Sequence, residues 1–249
     1  MAEKHYFEQV KHTREYLIPY FQKHIPDFNR FRILEIGCAE GGGVKVLHDL
    51  GMRVTGAELE PERVAIAKDK NPELDIRVMD ITDRGILDQL ETYDLIILRD
   101  VIEHVADRKT AFSIIRQLLS DNAYLYITFP PKYSAFAGHQ QNCRSALRKI
   151  PFLHLLPDKL LRRMGKRRNE DPGRIEAIIG NYKNGLTIRA FERHYTDVNF
   201  KAVVKGLFLI RPIFKVRFGL KTLGFPNIPF IREAGAMGCE YLLQKQDHT

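Results

Sequence analysis

The stretch that decides the fold is ILEIGCAEGGG, residues 33–43. Its apolar first half predicts a short buried strand, and its glycines predict a turn that leads into a helix. A turn without side chains lets a ligand approach the backbone closely. Dinucleotide-binding proteins and simple tight turns contain such glycines as well, so this stretch alone does not identify the ligand.

Three carboxylates stand around this turn at informative positions. Glu58 ends the second predicted strand, about 20 residues further on, where a carboxylate can accept hydrogen bonds from both hydroxyls of a ribose. Asp80 ends the third strand and can accept a hydrogen bond from an adenine amino group. Glu35, just before the turn, can pair with an amino group or orient the turn. Together they fit a ligand with adenine, ribose and a cationic amino-acid tail better than one with a pyrophosphate.

Predicted strands and helices alternate through the first half of the chain. The strands lie at 32–37, 52–58, 75–80, 93–100 and 122–131, and the helices lie at 5–25, at 43–50, from Pro61 onward and at 108–119. The continuous Leu-Ile-Ile-Leu run within 93–100 is typical of a strand buried on both faces. This alternation predicts an α/β fold, with helices covering both sides of a parallel sheet.

The rhythm changes after Pro131. Residues 131–190 are rich in Arg, Lys, Pro and Leu and predict short helices. In residues 214–221 apolar and basic side chains alternate, which predicts a strand with an apolar inner face and with Lys215, Arg217 and Lys221 facing outward. The stretch AMGCEYLLQKQ, residues 236–246, predicts a closing strand.

Four segments of the first half resemble a known family. ILEIGCAEGG, VTGAELEPE, IRVMDITD and YDLIILRDVIEHV are similar, in order, to the motifs of class I S-adenosylmethionine-dependent methyltransferases, in the type 11/12-like small-molecule group. The resemblance covers roughly residues 30–131, and Ala39 departs from it where the family has its second glycine. The alternative, a Rossmann dehydrogenase, needs Gly-x-Gly-x-x-Gly, which Gly37-x-x-x-Gly41 does not supply.

The resemblance implies a Rossmann-like, doubly wound sheet of seven mostly parallel strands, with an antiparallel closing strand and a helical insertion after the fifth strand. Four segments follow from it: an N-terminal helical cap (1–29), a cofactor-binding core (30–131), a helical insertion that forms a substrate cap (132–190) and C-terminal strands that complete the sheet (191–249). The implied cofactor is S-adenosyl-L-methionine. Its implied contacts are Glu35, Gly37, Ala39, Gly41, Glu58, Leu59, Asp80, Ile81 and Arg99.

Methyl transfer from a sulfonium requires an aligned acceptor atom, and a hydroxyl acceptor also needs a base. The candidates are His139 and Tyr133, in the stretch after the fifth strand, and His104. In the quinone-precursor methyltransferases a Glu-x-x-Glu-His pattern binds a divalent metal, and Asp100, Glu103 and His104 match it with Asp for the first Glu. We expect a structural or orienting role for Glu103 and His104 and no metal, with metal binding as the alternative.

Charge is divided unevenly along the chain. Residues 1–140 carry 18 Lys and Arg against 22 Asp and Glu, whereas residues 141–249 carry 21 against 9. A basic second half fits an acidic partner, such as an acidic glycan acceptor or a membrane surface, or simply a solvated face. The basic residues that could form a surface for such a partner are Arg144, Arg148, Lys149, Arg162, Arg163, Lys166, Arg167, Arg168, Lys215, Arg217 and Lys221.

Composition and motifs together predict a cytoplasmic enzyme. Three widely spaced cysteines offer neither a disulfide framework nor a zinc site, and the first residues do not form a signal peptide. We expect methylation, at oxygen, of a small molecule or of a glycan or lipid-linked intermediate, with peripheral membrane contact. The alternatives are an RNA or protein methyltransferase that docks through the basic half and a non-catalytic cofactor-binding module. The basic residues at 144–168 are interleaved with only one aromatic, so no nucleic acid is expected.

Overall fold

The computed structural model describes residues 2–246, and its eight strands form one mixed sheet. The strands are β1 (Arg32–Ile36), β2 (Arg53–Glu58), β3 (Ile76–Val78), β4 (Tyr93–Arg99), β5 (Leu119–Phe129), β6 (Phe200–Ile210), β7 (Leu223–Gly224) and β8 (Gly238–Lys245). Their order is β3-β2-β1-β4-β5-β8-β6-β7, in which β1 to β5 are parallel and β8 is antiparallel to both of its neighbours. The predicted mostly parallel sheet with an antiparallel closing strand is confirmed, and the strand beyond the predicted seven is the two-residue β7.

Helices cover both faces of this sheet. They are α1 (Ala2–His12), α2 (Ile18–His24), α3 (Gly42–Asp49), α4 (Pro61–Lys70), α5 (Arg108–Leu118), α6 (Asp158–Arg167), α7 (Pro172–Asn184), α8 (Ile188–Asp197), α9 (Ile213–Phe218) and α10 (Ile231–Gly235). A π-helical turn, Thr13–Leu17, joins α1 to α2. Short 3-10 turns lie at Phe28–Arg30, Arg84–Asp88, Gln140–Asn142, Ala146–Lys149 and Leu153–Leu155. Across residues 2–246, no helix has the length and apolar content to span a bilayer.

The apolar run of β4 shows how the two faces are buried. Ile96 and Leu98 pack into the cluster that includes residues of α5 and α8, whereas Leu95 and Ile97 pack against the N-terminal helices on the opposite face. Successive side chains of a strand point to opposite faces, so an unbroken apolar run is required where both faces are covered. The prediction that this strand is buried on both sides is confirmed.

Residues 131–190 contain α6, α7 and the last three 3-10 turns, and no strand runs through them. They have an apolar cluster of their own, formed by Cys143, Leu147, Leu153, Leu161, Ile175, Ile178 and Ile179. The predicted boundary at residue 190 lies inside α8, so the last segment begins with the end of a helix.

The strand predicted at residues 214–221 is wrong, because this stretch contains α9. Pro212 has helical dihedral angles at the start, and Gly219 ends the helix in the left-handed region with φ of +70°. Its N–H donates to the carbonyl of Lys215, as is common for a glycine that closes a helix. The alternation of apolar and basic side chains over eight residues favours a strand, but Pro212 at the start and Gly219 at the end favour a short helix.

The first helix lies directly on the glycine-rich turn. The Gln9 side chain donates to the Cys38 carbonyl at 3.1 Å and accepts from the Gly42 N–H at 3.1 Å. A Cβ atom on Gly42 would lie 2.5 Å from the carbonyl oxygen of Tyr6. Gly42 is therefore required by the approach of α1.

We predict that Gly42→Ala lowers the free energy of unfolding by about 1–3 kcal/mol, because the new methyl group overlaps backbone atoms of α1. Gly180→Ala in α7 is the matched control, since a Cβ there meets nothing within 4 Å. The control should raise the free energy of unfolding by about 0.4–1 kcal/mol. Urea denaturation measures both, and equal effects of the two substitutions would contradict the close approach.

Candidate active site

A cleft of about 1250 Å³ opens at the carboxyl ends of the parallel strands. Open α/β sheets bind their ligands at this edge. Residues of α1 and α9 form part of its walls, and the stretch after β5 contributes Ser134, Phe136 and His139.

Glu58 and Asp80, at the ends of β2 and β3, line the cleft and organise the adjoining backbone. The Glu58 carboxylate accepts hydrogen bonds from the Ala39 N–H at 2.8 Å and from the Glu60 N–H at 3.1 Å. The Asp80 carboxylate accepts from the N–H and the hydroxyl of Thr82, at 2.8 and 2.7 Å. Both carboxylates are thus held in place beside open space.

The predicted cofactor contacts divide into two groups. Seven line the cleft: Gly37, Ala39, Glu58, Leu59, Asp80, Ile81 and Arg99. Glu35 and Gly41 are not among the lining residues. A Cβ on Gly41 would lie 2.6 Å from the Ile76 side chain, so this glycine serves the packing of the turn against β3.

Glu35 forms a buried ion pair with Arg99. The Arg99 Nε donates to Glu35 Oε1 at 3.0 Å, and Nη2 donates to the same oxygen. Burial lowers the pKa of Arg99, but the Glu35 carboxylate outweighs this effect, and the pKa of the guanidinium is raised. Gly43 makes room for the pair, because a Cβ there would lie 2.5 Å from Glu35 Oε2. The positive charge of Arg99 in the cleft is therefore neutralised by Glu35.

Two predicted catalytic histidines meet in the cleft. The rings of His104 and His139 lie edge to face, with centroids 4.9 Å apart. Burial, followed by the positive charge of His104, lowers the pKa of His139 to about 4. Burial also lowers the pKa of His104. At neutral pH both rings are therefore uncharged, and a neutral imidazole can accept a proton.

Glu103 lies beside the two histidines. Burial and the nearby Asp100 carboxylate raise the pKa of Glu103 well above its usual range. Within residues 2–246 neither of its carboxyl oxygens has a hydrogen-bond partner. One ligand atom from each of Glu103, His104 and His139 lies within 4.8 Å of the others. The structure therefore gathers a different trio from Asp100, Glu103 and His104, which the sequence offered as the alternative metal set.

Asp100 is engaged elsewhere, by a residue that the sequence analysis did not single out. Arg211, just after β6, donates to Asp100 Oδ1 at 2.5 Å, and Thr128 donates to the same oxygen at 3.3 Å. Burial raises the pKa of Asp100, but the Arg211 charge outweighs it and the pKa is lowered. The two partners are 111 positions apart, and nothing in the local sequence links them.

Tyr133 is not brought to the cleft: it is partly exposed and is not a lining residue. The tyrosines that do reach this region belong to other elements. Tyr16 and Tyr126 donate to the buried Glu240 carboxylate at 2.9 and 2.7 Å, and Tyr126 and Glu240 line the cleft. The π-helical turn contains Tyr16, and such turns are frequent at functional sites.

Comparison with known proteins gives the family. Residues 2–170 match a family model described as a methyltransferase domain, which is more than half of the chain. The ubiquinone biosynthesis O-methyltransferase of Bos taurus is 30% identical over 128 residues, which are 48% of this chain and 35% of that protein. The chain thus spans about a third of that relative's length.

Two solved structures have a similar fold. An S-adenosylmethionine-dependent methyltransferase from Mesorhizobium loti superposes with a TM-score of 0.56 at 15% identity, covering 91% of this chain and 96% of that one. The plantazolicin methyltransferase BamL superposes with a TM-score of 0.60 at 13% identity, covering 98% and 87%. These similarities extend over the whole sheet, including the strands after the insertion.

We predict that Glu35→Gln lowers the free energy of unfolding by about 3–5 kcal/mol, because it leaves the Arg99 guanidinium buried without a counter-charge. Glu176→Gln is the control, since Glu176 accepts from Arg162 with similar geometry on the exposed surface. The control should leave stability unchanged in urea denaturation. A loss no larger than that of the control would contradict the role of the buried pair.

Proposed function

Because the chain belongs to the class I S-adenosylmethionine-dependent methyltransferase family, we propose that it transfers a methyl group from S-adenosylmethionine to an oxygen atom of a small-molecule acceptor. The observation that carries the proposal is the position of His139. It is a neutral, half-buried imidazole in the cleft, which is also lined by the ends of β1 and β2. The similar protein of Bos taurus is an O-methyltransferase, which supports an oxygen acceptor.

The cofactor takes the part of the cleft around the glycine-rich turn. Glu58 accepts hydrogen bonds from the ribose hydroxyls with the lone pairs that Ala39 and Glu60 leave free. Asp80, two residues after β3, faces the adenine, and Leu59, which follows Glu58 along the chain and is more than half exposed, lines the same part of the cleft. The amino-acid tail lies along Gly37 and Ala39.

The transfer step is an in-line displacement. The acceptor oxygen forms a bond to the methyl carbon while the carbon–sulfur bond breaks and its electron pair stays on sulfur. The hydroxyl proton passes to the neutral ring of His139. Because the low pKa makes this ring a weak base, the proton leaves as the oxygen–carbon bond forms, when the hydroxyl becomes more acidic. His104 packs edge to face against His139 and holds the orientation of that ring. The protein otherwise acts by alignment and by the exclusion of water.

A divalent cation is the alternative occupant beside His139. It would be held by Glu103, His104 and His139 and would lower the pKa of a hydroxyl bound to it. The buried, unpartnered oxygens of Glu103 fit such an ion. We favour the free base, because His139 then carries out the proton transfer without a further component.

Four arginines line the cleft, and each is paired with a carboxylate. The pairs are Arg63 with Glu60, Arg99 with Glu35, Arg211 with Asp100, and Arg217 with Glu8. Their charges are thus largely neutralised before an acceptor enters. An acidic glycan acceptor therefore stays a prediction, and the proposal requires only a hydroxyl-bearing small molecule.

The experiment supplies the protein with S-adenosylmethionine labelled in its methyl group and with a cell extract separated into small-molecule, protein and RNA fractions. We expect label in the small-molecule fraction, in an alkali-stable form, because an ether survives hydrolysis that cleaves an ester. His139→Gln should lower the rate by about 10²–10⁴-fold, the usual contribution of a general base. Cofactor affinity, measured by calorimetry, should not change.

His48→Asn, on the exposed side of α3, is the control and should retain the full rate. Label confined to protein or RNA would contradict the small-molecule assignment. Full activity of His139→Gln would contradict its role as base. Loss of activity in EDTA, restored by Mg²⁺ or Zn²⁺, would show that the cation replaces the free base.

A further inference from the structure

One surface segment, residues 213–231, combines exposed apolar side chains with positive charge. Six of its large apolar side chains are exposed: Phe218, Leu220, Leu223, Ile228, Phe230 and Ile231. The sequence contains no acidic residue from 211 to 232, and it contains five basic ones, Arg211, Lys215, Arg217, Lys221 and Arg232. Large exposed apolar side chains that are concentrated in one segment, and not scattered singly, mark a binding surface. We call residues 213–231 the apolar-basic segment.

Phe230 is held outward at the tip of this segment. Its side chain is 86% exposed, and its backbone has φ of +65° and ψ of −49°. The Ile231 N–H donates to the Pro229 carbonyl at 2.9 Å, which closes a three-residue turn around Phe230. A γ-turn with positive φ is rare and strained for a residue that has a side chain. Such strain persists at positions that serve a purpose other than stability.

The segment lies beside the mouth of the cleft. It follows β6, which runs parallel to β5 because β8 is antiparallel to both. The end of β6 therefore lies at the same sheet edge as the cleft. Phe214 and Phe218 line the cleft, and their rings pack with centroids 5.5 Å apart. The apolar surface thus continues from the segment into the cleft.

Two of the basic side chains are available to an external partner. Arg211, Arg217 and Arg232 are paired with Asp100, Glu8 and Glu192. Lys215 and Lys221 are exposed, and neither forms a salt bridge with any part of the described chain. These two lysines and the exposed apolar side chains are complementary to a layer that is negatively charged at its surface and apolar beneath.

We propose that the apolar-basic segment docks on an anionic lipid bilayer. Phe230 and its apolar neighbours enter the boundary between headgroups and acyl chains, and Lys215 and Lys221 contact the headgroups. Because the cleft opens at the same edge, an acceptor with an apolar tail reaches His139 from the bilayer without crossing water. This placement deepens the proposed function by naming a membrane-embedded acceptor class, and the docking itself does not depend on that function.

A second copy of the chain is a poorer occupant. In a two-fold dimer the same segment would face itself, and Lys215 and Lys221, with no acidic residue between 213 and 231, would meet like charge. A bilayer with anionic headgroups supplies the complementary charge that a second copy lacks.

The test is sedimentation with vesicles of phosphatidylcholine, with and without 30% phosphatidylglycerol, at low and high salt. We expect binding to the anionic vesicles at low salt and much weaker binding to the neutral ones. Leu223→Ser/Phe230→Ser should weaken binding by about ten-fold or more, since buried apolar area is lost. Lys215→Ala/Lys221→Ala should weaken it by about 25-fold, at about five-fold for each charge.

Leu50→Ser/Arg53→Ala is the matched control, since both residues are exposed at the opposite edge of the sheet, just before and at the start of β2. It should bind vesicles as the wild type does. Absence of binding by the wild type, equal binding to neutral vesicles, or unchanged binding by both segment variants would overturn the proposal. So would a dimer that Leu223→Ser/Phe230→Ser dissociates. Calorimetry of cofactor binding to the same variants separates this outcome from failure of the proposed function.

Discussion

The glycine-rich turn after β1 and the start of α3 are packed so closely that none of the glycines at 37, 41, 42 and 43 has room for a side chain. Gly42 faces the backbone of α1, and Gly43 faces the Glu35–Arg99 ion pair. These two contacts fix the first helix and the end of β4 relative to the turn. The walls of the cleft follow from them, because α1 and Arg99 both line it.

Paired charges set the chemistry of the cleft. Arg99 and Arg211 are each held by a carboxylate, so the region combines many ionic groups with little net charge. His139 remains neutral because burial and neighbouring positive charge disfavour its protonation. This arrangement suits a cationic sulfonium, since a protonated imidazole beside it would repel the cofactor and could not act as a base. Binding of the cationic cofactor and the proposed proton transfer therefore both require His139 to be uncharged.

The sequence predicts the fold of the first half well because the signals for its strands and turns are local. Neighbouring residues identify the Leu-Ile-Ile-Leu run of β4 and the carboxylates at or just after the ends of β2 and β3. In the structure this run is a buried strand, and these carboxylates line the cleft. The strand predicted at 214–221 failed because Gly219 closes a helix there, although the side-chain alternation is genuine. The purpose of the glycines at 42 and 43 was also hidden, since their neighbours Tyr6 and Glu35 lie in other elements.

Contacts between residues that are distant in sequence could not be predicted, because no local pattern indicates them. Asp100 and Arg211 are 111 positions apart, and Tyr16 and Glu240 are 224 positions apart. His139 was found because it belongs to a polar loop at the carboxyl end of β5. Its contact with His104 depends on how that loop folds back, which the sequence does not encode in any short motif.

A crystal structure of the protein with S-adenosylhomocysteine bound would test the proposed site most directly. We predict that the ribose hydroxyls donate to Glu58, that the adenine lies beside Asp80, and that the sulfur faces the side of the cleft that contains His139. The space between the His139 imidazole and the methyl position should hold the acceptor's hydroxyl group and little more, so that the imidazole can form a hydrogen bond to that hydroxyl. A ligand bound away from Glu58, or an imidazole more than about 10 Å from the sulfur, too far for that proton transfer, would contradict the central claim.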